Sequence, residues 1–209
     1  MADLHEDQDM PQLAAGGFRI HAGYLDADAQ EALVDAVREI SRAAPLFTPE
    51  TRRGQKMSVR MTSAGSFGWI SDRSGYRYDS RHPSGVAWPD LPSPVLAIWR
   101  DLVPEAPDPD SCLVNWYGEG ARMGMHQDRD EADFRWPVVS VSLGDDALFR
   151  MGGPERRGRT ESVWLKSGDV VVMGGAARLA HHGIDRIRFG SSRLLAHGGR
   201  INLTLRVSQ

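Results

Sequence analysis

Two histidines and an aspartate in this chain have the types and spacing to hold one metal ion. His126 and Asp128 form a His-x-Asp just after the glycine-bearing turn Gly118-Glu119-Gly120. On extended backbone, residues i and i+2 project to the same side, so an imidazole and a carboxylate converge there. His182, followed by Gly183, completes the set if its segment pairs as a strand with the first. His181 then projects to the opposite side, so only one of the adjacent histidines can be a ligand. Two imidazoles and a carboxylate on one face leave coordination positions open for oxygen and a substrate, the arrangement of non-haem iron(II) oxygenases.

Such an oxygenase needs a co-substrate, and the last strand carries groups suited to one. In Arg200-Ile-Asn-Leu-Thr-Leu-Arg206 the apolar residues share one face, while Arg200, Asn202, Thr204 and Arg206 share the other. A dicarboxylic keto acid presents two carboxylates, and a guanidinium binds each through parallel charge-assisted hydrogen bonds that lysine does not reproduce. Asn115 and Tyr117 form another i, i+2 pair on the strand before the His-x-Asp, adding an amide and a phenol to the same pocket.

The elements that must position these groups are short. Strands are expected at 112–117, 138–143, 147–151, 162–165, 170–173 and 201–207, separated by glycine and charged turns. A helix is expected from an Asp28 cap, with Glu31 closing a capping box, Leu33, Val37 and Ile40 on its apolar face, and Pro45 as its stop. A second should start at Ser93 with Pro94 at its first position, bury Val95, Ile98, Trp99 and Leu102, and end before Pro104. The fold class is therefore mainly β with flanking helices (α+β), of sandwich or jelly-roll type. Residues 1–15 read as a flexible arm and 16–209 as a single domain, with a lid over about 46–92 and a strand core over about 111–207.

Bulk properties narrow the classes. Composition is 41% hydrophobic and 25% charged, and no stretch is apolar over membrane-spanning length. Cys112 is the only cysteine, and Met1 to Met10 lacks a signal-peptide pattern, so a soluble cytoplasmic monomer is the expectation. A net charge of −3 opposes a nucleic-acid partner, but six of the 28 acidic residues lie within the first 28 positions. Arg52, Arg53, Lys56 and Arg60 cluster, as do Arg156, Arg157 and Arg159, leaving two local basic patches.

Several stretches together resemble the bacterial AlkB family. They are Asn115-Trp116-Tyr117, Gly120, His126 to Glu131, the run Val139-Ser-Val-Ser-Leu-Gly144, Gly168 to Val172, His182-Gly183-Ile184 and the closing Arg-x-Asn-x-Thr-x-Arg. Upstream, Met57-Ser58-Val59, Met61-Thr62, Gly68-Trp69 and Gly75-Tyr76 extend the likeness, which covers about residues 45 to 207. It implies a double-stranded β-helix with an N-terminal nucleotide-recognition lid, iron(II) on His126, Asp128 and His182, and 2-oxoglutarate on Asn115, Tyr117, Arg200, Asn202 and Arg206. The implied reaction consumes O2, converts 2-oxoglutarate to succinate and carbon dioxide, and hydroxylates the alkyl group of an N-alkylated base of the 1-methyladenine or 3-methylcytosine kind. The hydroxylated carbon then leaves as an aldehyde, repairing the DNA.

The same likeness gives Trp69 and Tyr76, with the His126 imidazole, the sandwich around a base flipped from single-stranded or duplex DNA. Asp130 and Glu131 would recognise the damaged base and support the site, while Arg77, Tyr78 and Arg156 would contact backbone or base. RNA is a further substrate of this kind. Met151, Met173 and the arginine-rich loop at 154–160 depart from the pattern and bear on pocket shape. Two other readings stand beside it: a dioxygenase of the same fold acting on protein or a small molecule, and a non-catalytic jelly-roll binding module. The paired arginines on the last strand argue against the second, and the lid aromatics against the first.

Overall fold

The computed structural model describes residues 12, 13 and 15–209. The arm expected over 1–15 falls mostly outside them; within it, Gln12–Leu13 pairs as a strand with Arg19–Ile20.

The elements run β1 (Gln12–Leu13), β2 (Arg19–His21), α1 (Ala27–Ala43), β3 (Val59–Gly65), β4 (Gly68–Asp72), β5 (Gly75–Asp79), α2 (Ser93–Leu102), β6 (Ser111–Tyr117), β7 (Met123–His126), β8 (Val138–Gly144), β9 (Asp146–Met151), β10 (Glu161–Leu165), β11 (Val170–Met173), β12 (His182–Arg188) and β13 (Arg200–Arg206). A seven-stranded antiparallel sheet has the order β1-β2-β11-β8-β13-β6-β3, and a four-stranded sheet the order β10-β9-β12-β7. These are the two halves of a double-stranded β-helix. A separate hairpin, β4-β5, stands apart from both sheets.

Strand alternation divides the large sheet between two jobs. Cys112 and Val114 of β6, Val139, Val141 and Leu143 of β8, Val170 and Val172 of β11, and Leu203 and Leu205 of β13 are fully buried in one cluster with Leu33, Val37 and Ile40 of α1 and Val95, Ile98 and Trp99 of α2. Burying that many large apolar side chains contributes on the order of 1.5–3 kcal/mol each, which fixes the register of every strand against the helices. The alternate residues of the same strands, among them Asn115, Tyr117, Ser140, Arg200, Asn202, Thr204 and Arg206, face a cavity toward the small sheet. The helices therefore position the site without touching it.

Both helices start slightly differently from expectation. The cap of α1 is Asp26, whose carboxylate accepts from the Ala29 N–H at 2.8 Å, and Asp28 lies in the first turn. Asp26 has the extended backbone a cap needs (φ −69°, ψ 177°), so the earlier aspartate takes the role. In α2, Ser93 is already helical, and Pro92 occupies the cap position without a side-chain bond.

The segment expected as a lid also divides. β3 is an edge strand of the large sheet, paired with β6 over its whole length, from Val59 opposite Tyr117 to Gly65 opposite Ser111. Only β4-β5 and the loop before β3 reach the mouth of the cavity, through Arg52, Met57, Trp69, Tyr76 and Tyr78.

Candidate active site

The cavity between the sheets has a volume of about 610 Å³. On its small-sheet side, β12 pairs with β7 so that His182 lies directly opposite His126. Asp128 follows β7 by two residues and is buried. The Asp128 carboxylate lies 3.8 Å from His126 Nε2 through one oxygen and 3.7 Å from His182 Nε2 through the other. One ligand atom from each of the three residues falls within 4.8 Å of the others.

Hydrogen bonds on the far side of each ring set the imidazole orientation. His126 Nδ1 lies 2.9 Å from the Gly124 carbonyl, and His182 Nδ1 lies 3.1 Å from that of Ala180. A carbonyl only accepts, so each Nδ1 carries the proton and each Nε2 lone pair is free to bind a metal. Burial, reinforced by His126, lowers the His182 pKa to about 4, which keeps that imidazole neutral. The neighbours Gln127 and His181 line the cavity but stand outside the metal-facing set: the Gln127 amide donates to Leu179 O, and His181 Nδ1 lies 3.3 Å from Gly153 O.

Gly183 is what allows β12 to approach β7 this closely. A Cβ there would meet the Met123 and Gly124 carbonyl oxygens at 2.7 and 2.9 Å. Gly183→Ala is expected to push the strands apart at a cost of about 1–3 kcal/mol and to weaken metal binding about 10- to 100-fold by displacing His182. Thermal melts and Mn(II) titration of the variant check both effects.

The large-sheet side supplies cationic and amide groups. Arg200 is fully buried: its guanidinium donates to Ser142 Oγ at 2.7 Å and to the Asp145 carbonyl at 3.2 Å. Burial lowers its pKa to about 10, so it remains a cation at neutral pH. Asp145 in turn is gripped by the N–H groups of Gly190, Ser192 and Gly199, which anchors the loop leading into Arg200. The Asn202 amide donates to Ser140 Oγ and Val141 O and accepts from the Thr204 hydroxyl. Burial lifts the Tyr117 phenol to about 12, leaving it a neutral donor.

Arg206 joins the two sides. Its Nη2 donates to Asp128 Oδ1 at 2.9 Å, and its Nε lies 3.2 Å from Glu131 Oε1 without hydrogen-bond alignment. Burial alone would raise the Asp128 pKa; the Arg206 guanidinium and the two imidazoles outweigh it and hold the carboxyl well below its ordinary range. Glu131 is engaged on both oxygens: Oε1 accepts from the Tyr78 hydroxyl at 2.6 Å, and Oε2 from Arg178 at 3.1 Å. Arg178 also donates to the carbonyls of Asp128 and Trp136 at 2.7 Å. No motif marks Arg178 in the sequence; its one signal is a lone arginine between Ala177 and Leu179 in an apolar run, since a buried guanidinium demands partners.

At the mouth, Trp69, Tyr76 and Tyr78 share one face of the β4-β5 hairpin. The Trp69 and Tyr76 rings stack at 5.6 Å and 16°, making one aromatic wall. Trp69 Nε1 donates to Asp130 at 2.8 Å, and the Arg52 guanidinium lies 5.6 Å from the centre of the Tyr76 ring. Arg156 lines the rim. Arg77 is not brought to the cavity: alternation turns it to the other face of the hairpin, where it pairs with Asp72 at 3.0 Å and Asp79 at 3.6 Å.

Several buried atoms here have no partner within the protein: Asp128 Oδ2, Asn115 Oδ1, Arg200 Nε, and Arg206 Nε and Nη1. A carboxylate set against two imidazole lone pairs, with its Oδ2 unmet beside His182, suits a divalent cation. Unmet guanidinium N–H groups at two points of one cavity suit a small dianion with a carboxylate at each end.

This donor set inside a double-stranded β-helix defines the class, and comparison agrees: the model of the 2OG-Fe(II) oxygenase superfamily matches residues 17–206. The Caulobacter vibrioides alpha-ketoglutarate-dependent dioxygenase AlkB homolog is 56% identical over 198 residues, 94% of this chain and 90% of that one. The Escherichia coli alpha-ketoglutarate-dependent dioxygenase AlkB is 38% identical over 213 residues, 99% of this chain and 97% of that one. The solved structure of OsALKBH1 is 29% identical and superposes with a TM-score of 0.81, covering 94% of this chain and 99% of that one. The chain belongs to the AlkB family of Fe(II)- and 2-oxoglutarate-dependent dioxygenases. Its cofactor is Fe(II), with 2-oxoglutarate and O2 as co-substrates.

Proposed function

We propose that this enzyme repairs DNA by oxidative removal of alkyl groups from base nitrogens, with His126, Asp128 and His182 holding the iron and Arg200 and Arg206 the two carboxylates of 2-oxoglutarate. The observation that carries the reading is the convergence of the His-Asp-His set and two incompletely satisfied buried arginines on a cavity walled at its mouth by stacked aromatics. Bound iron, 2-oxoglutarate and O2 would supply the oxidation, in which 2-oxoglutarate loses carbon dioxide, one oxygen atom enters the resulting succinate and the other hydroxylates the alkyl carbon. The C–N bond of that hemiaminal then breaks, the hydroxyl proton is lost, the nitrogen keeps the electron pair, and the carbon leaves as an aldehyde.

The protein's own part is positioning. Asn115 and Tyr117 donate to the co-substrate, and Asn202 stiffens the strand that carries the arginines through Ser140 and Thr204. A base must leave the helix stack to enter so deep a cavity, and an aromatic face offsets that loss. Trp69 offers one face and the His126 imidazole the other, while Asp130 adds a carboxylate that favours a cationic alkylated base. Arg52, Arg129 and Arg156 line the same cavity and attract the phosphates, despite the chain's overall negative charge. A flipped base in single-stranded or duplex DNA, and RNA of the same lesion type, all satisfy this chemistry. Among the described residues no helix is long and apolar enough to cross a membrane.

The test is binding of Mn(II)-loaded protein, without oxygen, to single-stranded oligonucleotides with and without one 3-methylcytosine. The modified strand is expected to bind more tightly, and equal binding would contradict the base-recognition reading. Trp69→Ala is expected to remove about 1–3 kcal/mol of stacking, raising Kd for the modified strand about 5- to 150-fold with little change in 2-oxoglutarate affinity.

A further inference from the structure

Tyr78 and Glu131 are oriented in a way that a base-contacting role does not explain. Glu131 is buried, its side chain only 2% exposed, and both carboxylate oxygens are taken up inside the protein. One faces Arg178, and the other faces both the Tyr78 hydroxyl and Arg206 Nε. Tyr78 belongs to the β4-β5 hairpin, which hydrogen-bonds to neither sheet through its backbone. The hairpin is thus tied to the site by Tyr78 to Glu131 and by Trp69 to Asp130, two adjacent carboxylates just beyond the metal-facing Asp128. Arg206 is the common neighbour of Asp128 and Glu131 and keeps two N–H groups without a partner.

We propose that Tyr78 and Glu131 are positioning residues for the co-substrate, the Tyr78 hydroxyl of the lid hairpin occupying Glu131 so that Arg206 stays available to a carboxylate of 2-oxoglutarate. The physical reason is competition. A buried carboxylate satisfies its lone pairs with whatever donors are near, and a charged donor is the strongest of them. With the phenol donating, Glu131 needs less from Arg206, whose Nη1, without a partner in the protein, stays available at the cavity that Arg206 lines. Without it, Glu131 draws Arg206 toward itself and away from the co-substrate. Placement of the hairpin is thereby coupled to co-substrate affinity through three side chains. This rests on the assignment of Arg206 to 2-oxoglutarate made above.

The experiment is calorimetric titration of 2-oxoglutarate into Mn(II)-loaded protein, in the absence of nucleic acid, for wild type, Tyr78→Phe, Glu131→Gln and the double variant, each checked by thermal melting. Tyr78→Phe keeps the ring and removes one oxygen, and it is expected to raise the 2-oxoglutarate Kd about 10-fold, the size typical of removing an outer partner of a site. In the Glu131→Gln background the same change is expected to have little effect, because the group through which Tyr78 acts has lost its charge. An unchanged Kd in Tyr78→Phe, or an equal rise in both backgrounds, overturns the proposal. If Tyr78→Phe leaves the 2-oxoglutarate Kd unchanged and, in a separate titration, raises only the Kd for a 3-methylcytosine oligonucleotide, Tyr78 returns to the base and the proposal is overturned too. Wild-type protein that fails to bind 2-oxoglutarate at all refutes the Arg206 assignment first and the proposal with it.

Discussion

Replacing Asp128 by alanine is expected to lower turnover by about 1,000-fold or more, equivalent to about 4 kcal/mol. Asp128 is the only anion of the metal-facing set, and it is buried between two imidazoles and Arg206. Its loss leaves the metal-facing set without an anion beside the Arg206 guanidinium, an arrangement that disfavours a cation. Asp128→Asn separates charge from shape: it keeps an oxygen near Arg206 but removes the negative charge, and it is expected to be almost as inactive. Iron-dependent succinate release and Mn(II) affinity measure the two variants. Near-normal metal affinity in either one would contradict the ligand assignment.

The second large effect is expected at Arg206. Arg206→Met removes a cation that faces Asp128 and Glu131 together. Loss of one partner of a buried pair costs about 3–5 kcal/mol, which for a chain of this size lowers Tm by roughly 10 °C. Co-substrate affinity is expected to fall about 100-fold or more, since removing one partner of a buried charged hydrogen bond costs about 2–5 kcal/mol. Arg206→Lys should not restore it, because an ammonium cannot reproduce the planar fork that reaches two carboxylates and a ligand at once. The stability loss depends on pH in a defined direction. The folded protein holds the Asp128 carboxyl below its ordinary range, so the pair's stabilisation is complete above about pH 4 and is lost as pH falls further. The Tm gap between wild type and Arg206→Met is therefore expected to narrow toward pH 3.

Features governed by strict alternation were the most legible in the sequence. The last strand reads as two faces because every second residue is apolar, and the structure sends those residues to the helices and Arg200, Asn202, Thr204 and Arg206 to the cavity. The pairing of His182 with His126 followed from the same reasoning, since only a strand pairing brings distant ligands together. β3 was not legible as a core strand: Met61, Thr62, Ser63 and Ala64 are buried in succession, so both faces are covered and the period of two disappears. The helix cap was misplaced by two residues because Asp26 and Asp28 are equally good caps, and only backbone conformation decides between them.

At the site, what a residue can bind was more legible than which partner it has. Glu131 is identifiable as a carboxylate near the metal set, but its capture by Tyr78, Arg178 and Arg206 depends on three distant segments meeting. Arg77 shows the converse, since its neighbours Tyr76 and Tyr78 line the cavity while alternation on β5 turns it to Asp72 and Asp79. Asp145 bears no motif, yet it organises the loop beside Arg200 through backbone N–H groups that no sequence pattern marks.

The most direct test of the account is a parallel count of succinate, formaldehyde and restored cytosine when iron-loaded protein meets 2-oxoglutarate, O2 and an oligonucleotide carrying 3-methylcytosine. The three are expected in equal amounts, dependent on the lesion and absent in Asp128→Ala. Succinate formed without restored cytosine, at the same rate with and without the lesion, would contradict it.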